Sequence, residues 1–142
     1  GRKLLNKIWN ASRLILMRRG EKNIVLSDTP PSATHEINKQ MITRTNEIAA
    51  SVSTQIDTYE FGQALHTLYD FFWHEFCDKY LEDMKSEELS ALDETAETAL
   101  WALGVQLKLF HPFIPFVTEH VWAQLPKDRD TLLLVASWPN TR

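Results

Sequence analysis

Cysteine is nearly absent: among 142 residues there is one, Cys77. It cannot form an internal disulfide, so nothing in the chain argues for secretion. Four glycines and six prolines exclude collagen-like and low-complexity classes. No glycine-rich strand–turn–helix occurs, which removes the usual signatures of dinucleotide and nucleoside triphosphate binding. No run of about 18 uncharged apolar residues occurs, so no transmembrane helix is expected, and no signal peptide is read. The first residue is Gly1 rather than Met, which leads us to expect a processed chain or a piece of a longer one.

What is present is apolar and acidic. Hydrophobic residues make up 44% of the chain and there are five tryptophans, too many for a chain that cannot pack. At this length a domain buries roughly two-thirds of its unfolded surface. The net charge of −4 argues against a general nucleic-acid binder. It hides an asymmetry, however. Residues 1–22 hold seven Lys/Arg against one acid, whereas residues 23–142 hold eight against eighteen. A basic first segment on an acidic body is the feature to explain.

Hydrophobic spacing predicts helices. Leu4, Leu5, Ile8, Trp9, Ser12, Ile15 and Leu16 share one face of a helix over 2–19, with Gly20 as its stop. Residues 21–33 read as a connection. A second helix fits 34–56 with Ile37, Met41, Thr45, Ile48, Ala49, Val52 and Ile56 inward. Asp57-Thr58 reads as the N-cap of a third helix over 59–84, with Phe61, Leu65, Leu68, Phe72, Phe76, Tyr80 and Met84 inward. Ser86–Ser90 reads as a polar connection, and Ser90-Ala-Leu-Asp93 as a capping box for a fourth helix over 91–110. Pro115 suits the first turn of a short fifth helix ending near Leu125. Thr131–Ser137 reads as a lone strand or an extended segment. The predicted fold is all-α: an antiparallel bundle of four long helices plus a short fifth, with a short extended C-terminal segment.

The residues themselves leave three chemistries open. His66, Asp70 and His74 share a helical stripe, a pattern able to ligate a metal. The Glu-x-x-His pairs of a di-iron bundle are absent, and a solvated stripe accounts for the spacing, so no metal site is assigned. Cys77 lies beside Asp78, whose charge raises a thiol pKa, so a buried inert cysteine is expected. The acid pairs Glu82-Asp83, Glu87-Glu88 and Asp93-Glu94 lie in or near connections and read as solvated surface. No catalytic residue is assigned. The first helix is the remaining candidate. Asn6, Asn10 and Arg13 share a face with Lys3 and Lys7 beside it. Cations neutralise phosphates, and Asn and Arg suit base edges. A cationic helix that meets an acidic protein partner is the competing reading.

Several stretches together resemble one family. Gly1-Arg-Lys-Leu-Leu-Asn-Lys-Ile-Trp-Asn-Ala-Ser-Arg13 resembles the helix that opens the anticodon-binding domain of valyl-tRNA synthetase. Trp73-His-Glu-Phe-Cys-Asp-Lys-Tyr-Leu-Glu82 is similar to its W-x-E-F-C-D-x-Y-L-E helix. Leu109-Phe-His-Pro-Phe-Ile-Pro-Phe-Val-Thr-Glu-His-Val-Trp122 is similar to its L-x-H-P-x-x-P-F-x-T-E motif, and Trp138-Pro139 to its closing W-P. Isoleucyl and leucyl enzymes share the single motifs. The E-F-C-D and N-A-S-R combination leans to the valyl enzyme.

The resemblance implies one anticodon-binding helical domain over 1–142, a piece of a class I synthetase that catalyses ATP-dependent aminoacylation in the cytoplasm. The ATP-binding H-I-G-H and K-M-S-K-S motifs are absent, so the ATP and Mg of the parent belong elsewhere. The implied partners are tRNA (tRNA-Val first) and the parent's catalytic domain and C-terminal coiled coil. The implied RNA-binding residues are Asn6, Lys7, Asn10, Arg13, Lys39, Gln40 and Arg44. Asn6 is equally suited to an interhelical hydrogen bond. Asp78 is expected to brace the bundle, and His111 and Pro112 to shape a turn. Gln40 stands where the family has an aromatic, which puts a stacking contact of roughly 1–3 kcal/mol in question. Lys79 replaces the family's Trp. The alternatives are a protein-interaction bundle without RNA binding and a metal-dependent oxygenase bundle.

Overall fold

A computed structural model describes residues 2–128 and 138–139. The described residues form helices and no strand. Helix α1 (Arg2–Arg19) buries Leu4, Ile8, Ala11, Ser12 and Ile15; of the face its spacing predicts, Trp9 and Leu16 are half-buried and Leu5, at the edge of the stripe, is 38% exposed. It ends at Gly20, whose φ of +60° is the left-handed value that favours glycine after a helix. Helix α2 (Glu36–Asp57) starts at His35, whose ring accepts from the Ile37 N–H. A continuous rod follows, made of α3 (Phe61–Asp70), a π-helical stretch π1 (Phe71–Tyr80) and the last turn α4 (Leu81–Asp83). A single turn, α5 (Glu87–Ser90), leads to α6 (Asp93–Phe110), and α7 (Pro115–Gln124) carries its proline in the first turn. The four long helices and short fifth are thus present, with α5 added inside the connection. The segment Thr131–Ser137 lies outside the described residues.

The π-helical stretch has a packing cause. Ala64, Leu68, Phe72, Phe76, Tyr80 and Met84 recur at a strict interval of four and are all at most 2% exposed. In an α-helix every fourth residue drifts about 40° past a full turn. Five such steps would carry Met84 to the opposite side of the rod. The wider π turn, bonded i to i+5, reverses the drift and keeps one ladder inward. Phe72, Phe76 and Tyr80 stack along it with centroids 6.0 Å apart, and Phe110 of α6 meets Phe72 edge-on at 5.7 Å.

Helix α6 is the centre. From Thr98 to Phe110 every residue is buried, more than the one-sided stripe the sequence predicts. A helix apolar all round needs neighbours on every side. Here α1, α2, the rod and α7 all pack on it. The connection between α1 and α2 closes what remains. It leaves beside Asp93, where Lys22 pairs at 2.9 Å. It then follows α6 past Gly104, whose added Cβ would meet Leu26, to the Asp28–Lys108 pair at 3.2 Å. It returns so that Thr34 and His35 reach Glu94.

Three readings are corrected. Thr58 does not cap the third helix. Its hydroxyl donates to Thr54 O at 3.0 Å and closes α2, while Glu60 opens α3 with no side-chain cap. Ser90 does not cap the fourth helix either. Ser86 caps the extra turn α5 instead, accepting from the Leu89 N–H at 3.2 Å, and α6 then begins after Leu92 with no side-chain cap. Phe61 is not inward but 49% exposed, since it is the first residue of α3 and overhangs the end of the bundle, edge-on to Tyr59.

Candidate nucleic-acid interface

The α1 spacing that buries Ile8 and Ile15 turns Asn6, Asn10 and Arg13 outward, and all three are exposed. None has an ion pair or side-chain hydrogen bond among the described residues. The interhelical bond open to Asn6 is therefore not made there. Lys7 sits one step round, against the rod. Its ammonium donates to Asp78 Oδ1 at 3.1 Å and lies over the Trp73 ring, 4.8 Å from the centroid. Trp73 in turn stacks on Tyr69 at 5.4 Å. Asp78 therefore has the bracing role expected of it.

On the other flank of the rod, α2 presents Lys39 and Gln40 to solvent. Lys39 is near its own helix neighbour Glu36 at 3.4 Å. Arg44 is engaged. Its Nε and one terminal nitrogen donate to the two oxygens of Glu75 at 2.8 and 3.0 Å. The hydrogen bond to Glu75 raises the Arg44 pKa, burial opposes it, and the charges of Glu75 and Glu47 add to the rise. The Asn38–Tyr80 bond at 2.7 Å and the Arg44–Glu75 pair run the two helices antiparallel. Lys79 is exposed.

The seven predicted residues thus fall on two flanks of one surface, α1 on one side of π1 and α2 on the other. Asn6, Asn10 and Arg13 are free on the first, and Lys39 and Gln40 face solvent on the second. Lys7 and Arg44 lean inward onto π1. The sequence offers Trp73, Glu75 and Asp78 together for a polar bracing network but does not identify Arg44 as the partner of Glu75, because nothing in one helix's pattern shows which cation of another helix stands opposite. Between α1 and π1 lies a shallow groove of about 180 Å³, lined by Lys7, Asn10, Ala11, Leu14, Cys77, Leu81 and Glu82.

The other candidates are quieter. Burial pushes the Cys77 thiol up to about 12; the Lys7 charge opposes this and Asp78 adds to it. It is a protonated core residue at neutral pH. His74 lies 3.9 Å from Asp70 and 3.6 Å from Asp78, all partly exposed. Among the described residues no three His, Cys, Asp or Glu side chains are grouped to hold a metal. His111 Nδ1 meets Thr118 Oγ1 at 2.9 Å and shapes the turn from α6 to α7, as expected. No described helix is long and apolar enough to cross a membrane.

An all-α bundle with a polar, partly cationic helix face agrees with what comparison with known proteins shows. The model of a family described as the anticodon-binding domain of tRNA ligase matches residues 38–142. The chain belongs to this family. Within it, valine–tRNA ligases are among the similar proteins. The chain is 39% identical to the valine–tRNA ligase of Bacillus anthracis, over 97% of this chain and 16% of that protein. It is 38% identical to the valine–tRNA ligase of Staphylococcus aureus strain Newman, with the same coverage of each. The chain therefore spans about one-sixth of the length of these relatives.

Proposed function

We propose that residues 1–142 form one domain that binds the anticodon stem-loop of a tRNA, tRNA-Val first, and contributes to its selection by a valine–tRNA ligase. The observation that carries this reading is the stripe of Asn6, Asn10 and Arg13. These are three exposed side chains rich in donors and acceptors, with no partner among the described residues, on the most basic segment of an acidic chain. An anticodon loop offers unstacked bases whose edges can be hydrogen-bonded, and phosphates that need only a local cation. Lys39, Gln40 and Arg44 supply the second flank, and Lys7 reinforces the first. Gln40 hydrogen-bonds a base edge where the family's aromatic would stack. ATP and Mg act in a part of the parent outside this chain, and the catalytic domain and a C-terminal coiled coil share the tRNA with it in the cytoplasm.

The test is Arg13→Ala in the full-length ligase. A base or phosphate contact of roughly 1–3 kcal/mol corresponds to a fall in tRNA affinity of about fivefold to 150-fold. Valine activation, measured by pyrophosphate exchange without tRNA, should stay unchanged. Equal loss of both activities would indicate a folding defect and remove the assignment.

A further inference from the structure

Positive charge is unevenly available on the proposed face. Arg13 and Lys79 are exposed and make no ion pair among the described residues. Arg44 and Lys7, the two cations that lean toward the middle of the face, are each held by a carboxylate of π1. Glu75 takes Arg44 through two hydrogen bonds at 2.8 and 3.0 Å, Glu47 of α2 adds a looser contact with Arg44 at 3.7 Å, and Asp78 takes Lys7 through one hydrogen bond at 3.1 Å. Glu75 and Asp78 are three residues apart on the helix that separates the flanks. They and the two cations are 30–49% exposed, so the pairs are open to water and to an incoming strand.

We propose that Glu75 and Asp78 are specificity-determining residues. They shield Arg44 and Lys7, so that RNA gains these two cations only by displacing a carboxylate. The inference rests on the RNA-binding reading above. Non-specific binding is driven by phosphates meeting free cations, whatever the sequence. A shielded cation adds nothing to it, because a phosphate that replaces a carboxylate trades one anion for another. The exchange raises selectivity only where the loop both sets a phosphate on the freed cation and gives the displaced carboxylate a base-edge donor that an unrelated RNA does not place there. Exposed ion pairs are weak enough to be exchanged in this way. Unlike an acidic patch far from the face, these carboxylates stand on the cations themselves.

The opposite role, in which each acid orients its cation for RNA, predicts the opposite sign. Glu75→Gln and Asp78→Asn keep the side-chain shape and remove the charge. Full-length wild type and each variant are titrated with tRNA-Val and with an unrelated tRNA across a range of salt, and thermal melting checks the fold. Loss of an exposed pair should tighten binding of the unrelated tRNA about fivefold at low salt. The slope of log K against log salt should steepen by about 0.7 for one more single-strand phosphate contact. Affinity for tRNA-Val should change little, so selectivity falls. Weaker binding of both tRNAs with unchanged melting would overturn the proposal in favour of orientation. Unchanged binding would overturn it as well. Should one variant melt early, the other decides, since they serve different cations. Wild-type binding that ignores salt and tRNA identity would defeat the RNA reading itself, an outcome distinct from these.

Discussion

Replacing Glu94 by Gln should loosen the attachment of α2 to α6 in a pH-dependent way. Glu94 accepts from the Thr34 N–H at 3.0 Å, the Thr34 hydroxyl at 2.8 Å, the His35 N–H at 3.0 Å and Asn38 Nδ2 at 2.9 Å. Desolvation raises its pKa, but these donors together outweigh it and bring the group from 4.5 to about 2. The folded state therefore binds this proton more weakly than the unfolded state. The stabilisation is complete above about pH 4.5 and is lost as pH falls through about 2. A shift of that size is worth about 3 kcal/mol at full strength. Contact with solvent reduces it to about 1.5–2 kcal/mol. Glutamine has one acceptor oxygen and turns its amide N–H groups toward donors, so at neutral pH it should forfeit that amount. For a domain of this size the loss lowers the melting temperature by about 6 °C. Circular-dichroism melts of both proteins from pH 7 to pH 2 give the difference curve. The gap should be widest at neutral pH and close as pH falls toward 2. A gap that stays constant over the range, or none at neutral pH, would refute the reasoning.

Two further outcomes follow from the core. Phe76→Ala removes a fully buried ring from the π1 ladder, between Phe72 and Tyr80. It should cost about 3–5 kcal/mol, read as a lower urea midpoint with an unchanged slope. Cys77, buried and raised to about 12, should stay unreactive toward a thiol reagent at pH 8 in the native protein and react at once in denaturant.

Single-helix features were legible in the sequence because they need only a period and a stop. Helix α1 occupies 2–19 with most of the predicted face inward, Leu5 excepted, and Pro115 begins α7 as read. Caps were harder. Ser90 and Thr58 carry the right chemistry at the wrong turn, since one additional turn of chain moves the helix start. The interval of four from Ala64 to Met84 is visible in the residues, yet its outcome depends on α6 supplying Phe110 to pack against. For the candidate site, the exposed stripe of α1 was readable. The engagement of Lys7 and Arg44 was not, because it depends on how helices distant in sequence align: Arg44 and Glu75 are 31 residues apart, Lys7 and Asp78 are 71.

The burial of α6 on every side sets the order in which this domain can form. Asp93–Phe110 is made after α1, α2 and the rod, and those helices have no shared inner partner before it emerges. At about 5–20 residues per second, the ribosome holds them with uncovered apolar faces for several seconds. The face built from α1, π1 and α2 is complete only when α6 packs beneath all three.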